Sequence, residues 1–322
     1  MNSHRILHIG FIPTLLFACS LVASAGAFDP VQQDFTQCLV INGFTAGASF
    51  EEPSSVAIDE RTGSMYIADT KAGTISQFTL QGVPVNQLGT SENLKSPFGI
   101  AIDGKGNIFV SEDDKASIKI INSKGESSSL EVSSGDGSVS AKPGRMTFDG
   151  DGNLYVVDRA TNRILIFDKD RKFVIAIGSA GTKRGQFKAL QDVAVDRHGR
   201  IYALDSSGFP VQVFDKKGKY LYRFGFQGDD PQDLSFASSL FIDRNDQIWI
   251  VDKGQNALKV FDRVGTFLRK FGTYGVGESA LFYPTDAKMD NMGRVYVLES
   301  GGRRLQVFTI LHPYERFNPP GL

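Results

Sequence analysis

Six times along the chain an Asp is followed nine or ten residues later by a second acid, in a unit of about 47 residues. The first set is Asp59, Asp103, Asp149, Asp196, Asp243 and Asp290; the second is Asp69, Glu112, Asp158, Asp205, Asp252 and Glu299. The intervals within the first set are 44, 46, 47, 47 and 47 residues. A period of that length marks a repeat architecture in which each unit is one supersecondary element that cannot bury its apolar faces alone. It constrains the fold far more than the function, because a repeat scaffold carries many unrelated activities.

Four short strands can be read in each unit. Strand a is apolar and ends at the first Asp, as in Gly99-Ile100-Ala101-Ile102-Asp103 and Asp192-Val193-Ala194-Val195-Asp196. A tight turn follows, as in Asp149-Gly150-Asp151-Gly152-Asn153, where Gly supplies positive φ without steric penalty. Strand b places an aromatic second in all six units, as in Leu154-Tyr155-Val156 and Ile248-Trp249-Ile250, and strand c ends apolar at Phe78, Ile121, Phe167, Phe214, Phe261 and Phe308. Strand d commonly ends in an apolar-Gly pair such as Phe224-Gly225. Short β-branched and aromatic runs punctuated by Gly and Asp are an all-β signal. Four antiparallel strands per unit predict one blade, and six units predict a six-bladed β-propeller whose blades bury their faces against each other. The last unit lacks a strand d, whereas Cys38-Leu39-Val40-Ile41-Asn42-Gly43 is a strand without a unit. The N-terminal strand is therefore expected to join the last blade and close the ring.

The segments Pro97-Phe98-Gly99-Ile100-Ala101-Ile102-Asp103, Gly152-Asn153-Leu154-Tyr155-Val156-Val157-Asp158 and Asn162-Arg163-Ile164-Leu165-Ile166-Phe167 together resemble the NHL repeat. The resemblance covers residues 38–311. It implies a six-bladed propeller and leaves function open, since NHL proteins include enzymes, RNA binders and protein-binding modules.

Residues 1–27 read as a secretory signal peptide. Arg5 is the lone formal charge before Asp29, Ile9 to Val22 is a mostly apolar stretch of 14 residues, and Ala23-Ser24-Ala25 and Ala25-Gly26-Ala27 supply small-residue cleavage patterns. Residues 28–322 are then a single propeller domain, secreted, periplasmic or attached to the cell envelope, with no transmembrane helix expected in the mature chain. Cys19 follows Leu16-Phe17-Ala18, a loose lipoprotein box, so a lipid anchor there stays open, although Phe17 fits poorly and better cleavage sites follow. Cys38 is the other thiol, which excludes an intrachain disulfide framework. The formal net charge of −1 argues against a nucleic-acid partner.

The repeated acids are read as turn-forming, because chemistry is built once and these recur in every unit. Asp149-Gly150-Asp151-Gly152-Asn153 starts like a calcium loop, but Leu154 and Ala160 stand where Gly and Glu are required. Outside the signal segment His198 and His312 are the only histidines, too few for the zinc of amidating propeller lyases and unfavourable for a Ser-His-Asp hydrolase. No Cys-x-x-Cys-His motif offers haem attachment.

Two regions remain as candidate sites. Two residues past the blade-opening Pro position lie Ser55, Gly99, Arg145, Asp192, Ser239 and Asp286, expected around the axis at the channel mouth. Arg145, Asp192 and Asp286 are charged where Gly is the family habit, and Lys288 follows. These four are candidates for a channel ligand or a metal. Lactonase-like propellers hold calcium in this region, so calcium enters as a cofactor candidate, although the expected Asn partners are missing. A mutual salt-bridge network and a small-anion site are the competing readings.

The second region is the face of b–c and d–a loops. Lys71, Lys115, Arg159, Lys253 and Arg303 lie in b–c loops, Lys183 and Arg184 lie in the loop Gly178 to Phe187, and Phe209 precedes Pro210 in the blade-four loop. A ring of cations on one rim suits an acidic protein partner, although each neighbours a repeat acid. The expected function is a non-enzymatic binding or assembly scaffold engaging a protein partner through this cationic face. Similar secreted propellers accompany envelope or extracellular redox complexes, which extends the set of partners by analogy. The alternative is a calcium-dependent lactonase- or lyase-like enzyme with its site in the central channel.

Overall fold

The computed structural model describes residues 35–89, 91–133 and 140–310. The expected signal peptide, Cys19 and His312 lie outside the described residues. Among the described residues, twenty-four strands form six four-stranded sheets. Blades one to five span residues 53–88, 97–131, 143–177, 190–224 and 237–271, each ordered a-b-c-d from the axis outward. Neighbouring innermost strands contact one another in sequence, and the first contacts the sixth, which makes the arrangement a closed six-bladed propeller.

Blade six takes three strands from the C-terminal end, Pro284–Met289, Arg294–Glu299 and Arg304–Ile310, and its fourth from Phe35–Ile41. The N-terminal strand pairs antiparallel with the last, with Phe35 opposite Ile310 and Ile41 opposite Leu305. Phe35 also stacks on Phe308 at 3.9 Å and on Phe271 at 4.9 Å. Closure therefore rests on a hydrogen-bonded ladder together with an aromatic stack that reaches into blade five.

The apolar core is divided into six clusters. Each lies between two neighbouring blades; one joins Trp249, Val251 and Leu258 of blade five to Val295, Val297 and Phe308 of blade six, and another joins Tyr296 and Leu298 to Val56, Met65 and Phe78 of blade one. Burial is graded along each blade. Strand b is buried at nearly every position, whereas strand d keeps mainly its last residue inside, as at Leu88, Ile177, Phe224 and Phe271.

The first acid of each unit forms the a–b turn. Asp149 accepts the N–H groups of Asp151 and Asn153 at 3.0 and 2.9 Å, and Asp103, Asp196, Asp243 and Asp290 repeat the pattern at the same offsets. The same carboxylates accept from the strand b aromatics: Tyr155, Tyr296 and the Trp249 indole reach Asp149, Asp290 and Asp243 at 3.0 Å. The second acid ties two loops together. Asp205 accepts Lys188 and Ala189 N–H from the preceding d–a loop and Ser207 and Gly208 N–H from its own b–c loop. Asp69 and Asp252 do the same. These twelve acids are thus committed to backbone donors, which supplies the pairing that buried carboxylates require.

Candidate functional site

Every innermost strand carries a register shift at its axial residue, between Pro53 and Ser55, Pro97 and Gly99, Leu190 and Asp192, Ala237 and Ser239, and Pro284 and Asp286, and in blade three between Pro143 and Met146, where it spans Arg145. A bulge re-aims one side chain out of the regular alternation, and here it recurs at the position that supplies Arg145, Asp192 and Asp286.

Arg145 of blade three and Asp286 of blade six belong to opposite blades of the ring, yet their side chains meet. Arg145 Nη1 lies 2.7 Å from Asp286 Oδ2. Arg145 Nη2 donates to the carbonyls of Ser54 and Thr285 at 2.8 and 2.9 Å, so one guanidinium links blades three, one and six. Asp286 also accepts Ser55 Oγ–H at 3.0 Å, Ser239 Oγ–H at 2.6 Å, and the N–H groups of Val56 and Ala287 at 2.9 Å. Both partners are buried. Lys288 Nζ stands 3.4 Å from Asp286 Oδ1 and is partly exposed. Asp192 accepts N–H bonds from its neighbour Val193 at 2.8 Å and from Leu240 of blade five at 3.0 Å, and is not ion-paired among the described residues.

The two buried carboxyls are driven apart. Burial alone raises both. At Asp286 the opposing charges of Arg145 and Lys288, with bonds from the Ser239 hydroxyl and the Val56 N–H, overcome it and bring the group down to about 2. At Asp192 burial wins over the more distant Lys288 and Arg145, with Asp286 adding repulsion, and the carboxyl stays above its ordinary value. The four charged residues singled out from the sequence thus share one axial cluster, but as one tight pair with a lysine attached and one separate acid. Among the described residues no group of three His, Cys, Asp or Glu side chains is placed to hold a metal.

The cations of the loop face are mostly engaged locally. Lys115 pairs with Glu112 at 2.6 Å, Arg159 with Asp113 at 2.8 Å, and Lys71 with Glu51 at 3.5 Å. Arg159 also lies over the Phe98 ring and Lys253 over the Tyr283 ring, at 4.2 and 6.0 Å. Arg303 donates to the Phe50 carbonyl. Lys183 and Arg184 are exposed and, among the described residues, form no ion pair. Their loop is one of three built alike. Loops 178–189, 225–236 and 272–283 are equal in length, and each closes with the same isolated bridge: Ala180 to Phe187, Gln227 to Leu234, Tyr274 to Leu281. Phe209 is half-buried under the Arg223 guanidinium at 3.4 Å, so its ring is covered and not presented to solvent.

Sequence reading missed the apolar side chains on two of those three loops. Phe226, Tyr274 and Val276 are 77%, 68% and 71% exposed, and Phe236 and Tyr283, the last residues of those loops, are half-exposed. The signal available was an aromatic at a loop position where the companion loop holds a small or polar residue: Phe226 corresponds to Ser179, and Tyr274 to Ala180.

The comparisons define the class first. A family described as a 6-bladed β-propeller matches residues 142–211 and 198–262, and a β-propeller repeat matches residues 85–111. None of the curated proteins matches the chain. Among solved structures, virginiamycin B lyase from Staphylococcus aureus is similar at 14% identity and a TM-score of 0.62, covering 86% of this chain and 100% of its own. A gluconolactonase from Xanthomonas campestris is similar at 14% identity and a TM-score of 0.61, covering 81% and 86%. A protein of unknown function from Bacteroides thetaiotaomicron is similar at 15% identity and a TM-score of 0.65, covering 84% and 72%. At these identities the likeness is one of fold.

Proposed function

We propose that this is a secreted or envelope-associated NHL-type propeller acting as a non-enzymatic scaffold, which holds a protein partner on its face of b–c and d–a loops. The observation that carries the reading is the exposed group Phe226, Tyr274 and Val276 on loops whose backbone is clipped to the blades by Asp252 and Glu299. Rigidly held exposed aromatics are the side chains that anchor protein interfaces. Lys183 and Arg184 supply the cationic part of the same face, and an acidic partner suits them. Lys71, Lys115 and Arg159 contribute less, because each already faces a carboxylate.

Calcium-dependent lactonase or lyase chemistry is the second reading, favoured by the fold likeness to a gluconolactonase and a lyase. Against it, the guanidinium of Arg145 occupies the axial position beside Asp286 and repels a cation there. A lyase variant made inactive by replacing one histidine has been solved with quinupristin. His198, the one histidine among the described residues, lies on an a–b turn 3.5 Å from Asp246, away from the axial cluster.

The test is affinity capture from a cell-envelope extract with the unaltered protein, with Phe226→Ser/Tyr274→Ser, and with Lys183→Glu/Arg184→Glu. A partner recovered by the unaltered protein, lost with both variants, and binding directly when purified is the expected result. Stoichiometric bound calcium lost in Asp192→Ala, together with lactone hydrolysis or lyase turnover, would replace the scaffold with the enzyme.

A further inference from the structure

The d–a loops 178–189 and 225–236 share one backbone design and carry opposite charge. They lie one repeat apart and repeat each other's hydrogen bonds. Phe187 N–H donates to the Ser179 carbonyl as Leu234 N–H does to Phe226, and Gln186 N–H donates to Lys183 as Asp233 N–H does to Asp230. Loop 178–189 carries Lys183, Arg184 and Lys188 and no acid, whereas loop 225–236 carries Asp229, Asp230 and Asp233 and no base. Asp230 thus stands at the position of Lys183, and Phe226 at that of Ser179. Lys183, Arg184, Asp229 and Asp230 are exposed, and among the described residues none of the four is ion-paired. Asp233 is partly buried beside Lys259.

We propose that a second copy of this chain docks face to face on these two loops, about a two-fold axis that passes between them; this rests on the docking reading above and names its partner. A two-fold contact uses the same patch on both copies, so a surface can be its own partner only if it holds both halves of each contact. These loops do. Rotation about that axis lays loop 178–189 of each copy on loop 225–236 of the other and sets Lys183 and Arg184 against Asp229 and Asp230 twice. Built alike, the two loops project equally from the blades, so both contacts close together.

Shape follows the same rule. The exposed Phe226 ring comes to lie over the stretch Gly178-Ser179-Ala180-Gly181 of the second copy, which has no large side chain. A uniformly acidic partner suits Lys183 and Arg184 but is repelled by Asp229 and Asp230 on the next loop, whereas a copy of this chain satisfies both.

Analytical ultracentrifugation of the purified protein over a range of concentrations tests the assignment. A dimer that dissociates as salt is raised is expected, because exposed charges are screened. Lys183→Glu/Arg184→Glu and Asp229→Lys/Asp230→Lys should each weaken it at least about tenfold, since like charges then face each other. An equimolar mixture of the two variants should regain a one-to-one dimer, and so should one chain carrying all four substitutions, because opposite charges meet again in both. Phe226→Ser should weaken the dimer with its charges intact. A protein that stays monomeric at every concentration, a dimer indifferent to both charge reversals, or variants that fail to re-associate when mixed overturns the second copy as occupant. The docking face itself is judged apart from this, by the capture experiment: an envelope partner held by a monomer through Phe226 and Tyr274 would keep the face and reject this occupant.

Discussion

The turn acids and the axial cluster are both sets of buried or half-buried charges, yet they are built on opposite plans. Asp149 and its five counterparts each serve one turn, bonded to the N–H two residues on, in all but Asp59 also to the N–H four residues on, and in most blades to an aromatic six residues away. Their partners are local and the motif recurs in every blade. Arg145 and Asp286 form one pair across the ring, joining residues 141 positions apart in sequence and drawing in blades one and five through Ser55 and Ser239. A charge satisfied locally can be lost at the expense of one turn. A charge satisfied by four blades at once ties the ring together, so its loss is felt everywhere.

The sharpest way to break the contrast is to remove the guanidinium. Arg145→Leu leaves Asp286 buried beside an apolar group and the Ser54 and Thr285 carbonyls without a donor. Leaving one member of a buried pair uncompensated typically costs about 3–5 kcal/mol. Urea denaturation of Arg145→Leu should show a loss of this size. The double variant Arg145→Leu/Asp286→Asn should lose clearly less than the sum of its single variants, because the two groups are coupled. Additive losses would mean that the pair does not act as a unit.

Acid pH probes the same pair by a second route. The folded-state value of Asp286, about 2, lies below its ordinary 3.8, so its ionised form favours folding. That contribution is present above pH 4 and is lost as pH falls toward 2, and the shift corresponds to about 2 kcal/mol. Asp192 has the opposite sign. Its raised value means that folding favours the protonated form, so its contribution is present below 3.8 and is lost as pH rises through its folded-state value. Asp286→Asn should remove the acid-side loss, whereas Asp192→Asn should flatten the profile above pH 4 at little expense in stability at neutral pH. Unchanged pH profiles in both variants would contradict the charge assignments.

How much of this was legible depended on whether the cause was local. The six units showed because each a–b turn needs Asp with Gly or Asp at fixed offsets, as in Asp196-Arg197-His198-Gly199. The closing strand showed because Cys38 to Gly43 alternated without a unit of its own, and it was found on the last strand. The axial residues stood out as charges where the pattern has Gly, but the crossing of Arg145 to the opposite blade did not. That direction is set by a bulge and by ring geometry, neither of which is written in a single repeat. The rim cations looked like a ring because some of their carboxylate partners are remote in sequence, as Asp113 of the neighbouring blade is for Arg159, although Lys115 meets Glu112 three residues away. Phe226 and Tyr274 were passed over because in a chain with 25 Phe and 9 Tyr most aromatics are core, and exposure cannot be read from type alone.

The smallest expected effects lie on the periodic side and measure how local that plan is. Asp149→Ala removes acceptors for two backbone N–H groups and for the Tyr155 hydroxyl, which should cost about 1–2 kcal/mol. Asp243→Ala, which does the same to Trp249, should match it to within a few tenths of that range. Lys71→Ala removes a pair that is exposed on both sides and should change stability by less than about 0.5 kcal/mol. If the two turn variants differed as widely as Arg145→Leu differs from Lys71→Ala, the blades would not be equivalent units. The division between a repeated local framework and a single ring-spanning pair would then have to be redrawn, with one blade sharing the role now given to the axis.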